Sequence, residues 1–201
     1  ADDTTRAYGN ISARGGELGG SGGYVETSGH RYLDFQGRVD TRAPRGKVGT
    51  LLLDPSDITI DNSVDSLGGG SFGAGAFTGG TANAVLTWST IDTQLGLGNL
   101  ELRTNSAATS GQGDILITAS KALTSSNALT LLANRHVVFS PSVAVSGTGD
   151  INLIAGWNNT GWAVTPGVGD VSFGAFSNLS TSGNLYFNAG NSVVQSAGSM
   201  V

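Results

Sequence analysis

The sequence predicts an all-β solenoid, a parallel β-helix of roughly nine or ten coils with loop insertions, on three observations. A short turn-and-strand pattern recurs along the chain, helical periodicity is missing, and the composition is rich in glycine but poor in charge.

The pattern is Gly, then Asp or Asn, then apolar, any, apolar. It stands at Gly9-Asn10-Ile11-Ser12-Ala13, Gly98-Asn99-Leu100-Glu101-Leu102, Gly113-Asp114-Ile115-Leu116-Ile117, Gly149-Asp150-Ile151-Asn152-Leu153, Gly169-Asp170-Val171-Ser172-Phe173 and Gly183-Asn184-Leu185-Tyr186-Phe187. A variant without the glycine reads Ser126-Asn127-Ala128-Leu129-Thr130-Leu131. The Gly-Asx pair takes turn conformations cheaply, and the residues after it alternate in polarity as a half-buried strand does. Further alternating runs, such as Val137-Val138-Phe139 and Val143-Ala144-Val145, give each interval one to three strands. No stretch of eleven residues keeps apolar side chains at helical spacing, so almost no α-helix is expected.

A sandwich or barrel also has short strands, but only a solenoid predicts the same turn chemistry at the head of successive units. With coils about 4.8 Å apart, the rod would be about 45 Å long. Its inward side chains form columns, for which Ile115, Ile117, Leu129, Leu131, Ile151, Leu153, Leu185 and Phe187 are the candidates. Asp114, Asn127, Asp150, Asp170 and Asn184 are expected to form a structural ladder in or beside the turns. The 201 residues are read as one domain, residues 1–201, with insertions at 63–81 and 156–169.

Charged residues are 12% of the chain and its net charge is -5, which argues against nucleic acid, whose phosphates call for clustered cations. Only Arg42, Arg45 and Lys47 are grouped. Cysteine is absent, which removes disulfides, thiolate metal sites and a cysteine nucleophile together. No apolar run approaches the roughly 18 residues of a membrane helix, and the start at Ala1-Asp2-Asp3 has no secretion-signal pattern, so a mature product or an excised piece is expected.

The block from 19 to 60 contains Gly-Gly-Tyr24-Val25-Glu26-Thr27-Ser28-Gly-His30, then Leu33-Asp34-Phe35-Gln36-Gly37-Arg38-Val39-Asp40-Thr41-Arg42-Ala43, then Gly49-Thr50-Leu51-Leu52-Leu53-Asp54-Pro55-Ser56-Asp57-Ile58-Thr59-Ile60. It closely resembles filamentous-haemagglutinin-like exoproteins of two-partner secretion systems in Gram-negative bacteria. The resemblance is specific over these forty or so residues and looser elsewhere. It implies a right-handed parallel β-helix, export through an outer-membrane transporter partner, and an adhesive role at the cell surface, facing a host or neighbouring-cell glycan or protein. That family's amino-terminal secretion domain is missing here, so the segment is expected to lie downstream in a longer precursor. The resemblance carries no catalytic residues. Read from the residues alone, the block is structural: Leu33, Phe35 and Val39 alternate with polar residues, and Leu51 to Leu53 form a buried run that Asp54-Pro55 ends.

The 63–81 insertion is glycine-rich, with Phe72 and Phe77 as anchors against the shaft. The 156–169 insertion carries Trp157, Asn158, Asn159 and Trp162, the candidate ligand contacts, since aromatic rings outside a narrow core anchor sugars or protein partners. The alternative is that both tryptophans fold back on the side of the helix. Three sequons, at Asn10, Asn158 and Asn178, are candidate glycosylation sites.

Enzymatic chemistry has weak support in the sequence. Asp34, Asp40, Asp54, Asp57 and Asp61, with Arg38 or Arg42 as a base, are the residues a polysaccharide lyase or hydrolase would draw on. However, Asp54 precedes proline, and Asn replaces Asp freely in the turn slot of the repeat, which a catalytic acid does not tolerate. His30 and His136 are far apart in sequence and have no metal or triad spacing. No enzyme activity, metal or cofactor is therefore expected. The expected function is a secreted cell-surface adhesin segment without membrane insertion. The alternatives are a filament subunit that stacks end to end through exposed coils, and a polysaccharide-degrading β-helix enzyme.

Overall fold

The computed structural model describes residues 4–29, 32–63, 65, 71–73, 76–78, 83–105 and 111–201. Two six-stranded sheets, wholly parallel, make the body of the protein. The first face is built, in spatial order, from Tyr24–Ser28, Thr50–Asp54, Asn99–Arg103, Leu129–Ala133, Ile151–Ala155 and Leu185–Ala189. The second stacks Asn83–Thr87, Asp57–Asp61, Ile115–Ile117, Val137–Phe139, Asp170–Phe173 and Ser192–Gln195. A third, shorter face pairs Lys121–Ala122, Ala144–Gly147 and Asn178–Thr181. Towards the amino-terminal end, Thr4–Ala7 pairs with Tyr32–Phe35 and Asn10–Ser12 with Arg38–Asp40, again in parallel. The chain visits the faces in turn and returns one rung further on, so the architecture is an all-β parallel solenoid, as the repeat predicts.

Alternation fixes the register. On the first face Leu51, Leu100, Leu129, Ile151 and Leu185 stand in one column, and Leu53, Leu102, Leu131, Leu153 and Phe187 in the next. On the second, Ile58, Ile115, Val137 and Val171 precede a column of Ile60, Ile117, Phe139 and Phe173. A slip of one residue would turn a whole column to solvent, where each large side chain forfeits about 1.5–3 kcal/mol of burial. The columns meet in one continuous core, in which Phe139 stacks on Phe173 at 4.8 Å and Phe173 meets Phe187 edge-on at 6.1 Å.

The single column pair expected from Ile115 to Phe187 is in fact two, because the Gly-Asx repeat heads strands on two different faces. Ile115 and Ile117 belong to the second face and the other six residues to the first. The turn ladder divides in the same way. Asp114 and Asp170 start second-face strands, whereas Asp150 and Asn184 start first-face strands, with Asn184 donating from both N and Nδ2 to Asp150 Oδ1. Asn127 falls outside both, since the register aligns Ala128 with Asp150. It donates instead from Nδ2 to the Leu95 carbonyl at 2.7 Å.

Two departures from the regular winding come from 62–98. The next second-face strand along the chain after Asp57–Asp61 is Asn83–Thr87, which pairs on the opposite side of Asp57–Asp61 from Ile115–Ile117 and so steps back one rung. A helix, Trp88–Leu95, follows where almost none was expected. Thr87 caps it, accepting from Thr90 N at 3.2 Å, and Trp88, Ile91 and Leu95 bury its inner side. It substitutes for a third-face strand. Gln94 accepts from Val39 N and donates to the Gly37 carbonyl on one side, while the Leu95 carbonyl accepts from Ser125 and Asn127 on the other. Tertiary packing, not intrinsic preference, sustains so short a helix.

Glycines in the 19–60 block are steric necessities. A Cβ on Gly22 would lie 1.8 Å from the Thr41 carbonyl oxygen, and one on Gly49 would lie 2.0 Å from that of Gly23. Leu51, Leu52 and Leu53 are all buried, as read from the sequence. Within the 63–81 insertion only Ser63, Asp65 and a short antiparallel pair, Ser71–Gly73 with Ala76–Thr78, are described; the anchoring expected of the Phe72 and Phe77 rings lies outside the described residues, as does His30. Among the described residues no helix is long and apolar enough to cross a membrane.

Candidate ligand-binding groove

The outer side of the first face carries the middle residue of each repeat. Strand alternation points Thr50, Asn99, Glu101, Thr130, Asp150, Asn152, Asn184 and Tyr186 outward, because their neighbours fill the core. The 156–169 insertion rises beside this surface from a pinched base. Gly156 and Gly169 both sit in the left-handed region, at φ 78° and 82°, and a Cβ on Gly156 would lie 1.8 Å from the Val168 carbonyl oxygen. Only glycine permits that approach.

The two tryptophans of the insertion have different fates. Trp157 is buried, 6% exposed, against Leu132, Ile154 and Val164 in a small apolar cluster on the outside of the sheet. Its Nε1 donates to the Gly161 carbonyl at 2.8 Å, and the Arg103 guanidinium lies 4.5 Å from the ring centroid. Its expected place as a ligand contact is therefore corrected: Leu132 and Ile154 are outward apolar residues that need covering, and Trp157 covers them. Trp162 is 43% exposed and tilts against Tyr186, itself 41% exposed, with centroids 5.3 Å apart. Asn188 Nδ2 holds the Trp162 carbonyl at 2.9 Å. Asn158 and Asn159 are exposed, and the Asn158 side chain closes a local turn by accepting from Thr160 N; neither lines the groove.

The result is a groove of about 440 Å³ with a polar floor, one aromatic wall, and backbone of the sheet beneath. Asn152 donates from Nδ2 to Thr130 Oγ1 at 3.0 Å in the buried part of the floor. Glu101 is held by Arg103 at 2.5 Å, and Asp150 by Asn184. In register with Thr50, Tyr24 stands beyond the lining at the amino-terminal end, 59% exposed. Burial, then the nearby Glu101 charge, raises its phenol above the usual tyrosine value, so it is a neutral hydrogen-bonding ring. Such a site offers ring faces, amides, hydroxyls and two carboxylate acceptors to a ligand rich in hydroxyl groups.

Four of the carboxylates weighed for hydrolytic chemistry, Asp34, Asp40, Asp57 and Asp61, are engaged within the fold. The Asp57 carboxylate accepts backbone N–H groups from Gln112, Gly113 and Asp114. Asp34 is bound by Tyr8 and Gln36, and Asp61 by Ser63. Asp40 lies between Arg14 and Arg42, and the hydrogen bonds from Arg42 hold its pKa down at about 2. Asp114 takes Arg135 and the His136 backbone, and His136 Nδ1 accepts from Asp170 N at 3.0 Å. Among the described residues no three His, Asp or Glu side chains are grouped as metal ligands. Of the sequons, Asn10 and Asn158 are exposed, and Asn178 is half-buried in its strand.

Comparison with known proteins gives no further identification: no family model, no curated protein and no solved structure matches the chain.

Proposed function

We propose that this chain is a stretch of the shaft of a secreted adhesin-type exoprotein, a right-handed parallel β-helix that contacts surface glycans through its first face. Handedness follows from the strong preference of parallel crossovers for the right-handed sense. The resemblance of the 19–60 block supports export through an outer-membrane transporter and display at a Gram-negative cell surface.

The observation that carries the binding role is the Trp162–Tyr186 pair, two large rings left half-exposed at the edge of a groove floored by amides and hydroxyls. Rings of this kind dominate recognition energies because they offer a rigid apolar face at small entropic cost. The test is a glycan array with the chain and its Trp162→Ala and Tyr186→Ala variants. Each variant is expected to lose at least about ten-fold in affinity while keeping the strand content of the parent. Unchanged binding in both variants rejects this groove as the contact.

A further inference from the structure

We infer that the groove takes an extended, uncharged glycan chain laid along the solenoid axis, gripping several consecutive sugars rather than one terminal sugar. This inference rests on the glycan reading above and deepens it. The first support is length. The lining residues run from Thr50 to Tyr186 and cross five neighbouring strands, four spacings of about 4.8 Å, or roughly 19 Å. The rung occupied by Tyr24 adds a further spacing, so aromatic rings stand at the two ends of a track about 24 Å long. A single sugar on Trp162 would leave most of that track empty.

The second support is the repetition of the floor. Each rung contributes an outward polar residue in nearly the same register: Thr50, Asn99, Asp150 and Asn184 in one column, Glu101, Thr130 and Asn152 in the neighbouring one. Hydrogen-bonding groups spaced along an axis suit a polymer whose hydroxyls also repeat along an axis. The third is charge. The floor contains the carboxylates of Glu101 and Asp150, and the cation of the region, Arg103, is already committed to Glu101 and to the Trp157 ring. A carboxylated or sulfated chain would place like charges together in a partly dehydrated groove, whereas neutral hydroxyls donate well to carboxylates.

The experiment is calorimetric titration with size-graded neutral ladders of gluco-, manno-, galacto-, xylo- and N-acetylglucosamine oligosaccharides, from disaccharide to octasaccharide, with oligogalacturonates as the anionic counterpart. For the ladder that binds, affinity is expected to climb at least about ten-fold from the disaccharide and then level off. A Tyr24→Ala variant, altered beyond the lining, should weaken the long oligosaccharides and leave the disaccharide unchanged, while Trp162→Ala weakens both. A disaccharide that binds as tightly as the octasaccharide overturns the extended-chain inference and leaves the glycan reading standing, and tighter binding of oligogalacturonate overturns the uncharged assignment. No binding to any ladder at millimolar concentration overturns the glycan reading itself.

Discussion

Replacing Trp157 by alanine removes the ring that closes the outer apolar cluster, and its cost can be worked from the contacts. The ring is 6% exposed, packs on Leu132, Ile154 and Val164, spends its N–H on the Gly161 carbonyl, and takes Arg103 on its face. Truncation of a buried aromatic costs about 3–5 kcal/mol, and the lower end applies because the cluster is small and the insertion can relax over the gap. For a chain of this size about 3 kcal/mol corresponds to a fall in Tm of roughly 6–12 °C. Trp162, 43% exposed, is the control: its loss removes one ring contact with Tyr186, about 1 kcal/mol, or a few degrees at most. Circular dichroism melts of Trp157→Ala and Trp162→Ala at equal concentration, with glycan titration of both, separate the roles. The first variant should lose stability, and with it the seat of Trp162; the second should lose binding and at most a few degrees. A Trp157→Ala protein that melts with the parent, or a Trp162→Ala protein that melts lower than Trp157→Ala, refutes the assignment of one ring to packing and the other to contact.

Further outcomes follow from particular residues. Gly156→Ala, strained at φ 78° and directed at the Val168 carbonyl, should release the insertion, seen as faster hydrogen exchange at the Trp157 and Thr165 amides, which are bonded to Ala133 and Gly156, and as weaker glycan binding. Phe173→Ala, 1% exposed between Phe139 and Phe187, should cost about 3–5 kcal/mol and lower Tm further than any groove variant. Asp40 has a folded-state pKa of about 2, below its ordinary 3.8, so its pairing stabilises the fold above about pH 4 and that contribution disappears as pH falls towards 2. Urea titrations across this window should show a shallower loss for Asp40→Asn than for the parent.

The sequence revealed most about the features that repeat. Because every rung must turn and then bury alternate side chains, the Gly-Asx pattern identified the strands at 99–103, 115–117, 151–155, 170–173 and 185–189. Which face each strand joins is not legible, since both faces use the same Asp-or-Asn start, so the repeat alone puts Asp114 and Asp150 in one ladder. The helix at 88–95 is shorter than any window that reveals helical period, although a threonine cap with Trp88, Ile91 and Leu95 at three and seven spacing was its faint mark. Trp157 and Trp162 share one composition and one loop; only the outward apolar pair Leu132 and Ile154 decides which ring folds back. The sequence signal for Tyr186 as a contact is its place in the outward slot of its repeat, where Ser12, Asn152 and Ser172 stand in others.

The groove is most directly tested by amide and indole chemical-shift mapping of the isotope-labelled chain against the oligosaccharide that binds. Shifts should gather on the Trp162 indole, on Tyr186, and on the side-chain amides of Asn99, Asn152 and Asn184, and spread towards Tyr24 as the oligosaccharide lengthens, with the Trp157 indole still. Shifts centred on Asn158 and Asn159, or around Arg38 and Arg42 beside the amino-terminal strand pair, would contradict the account.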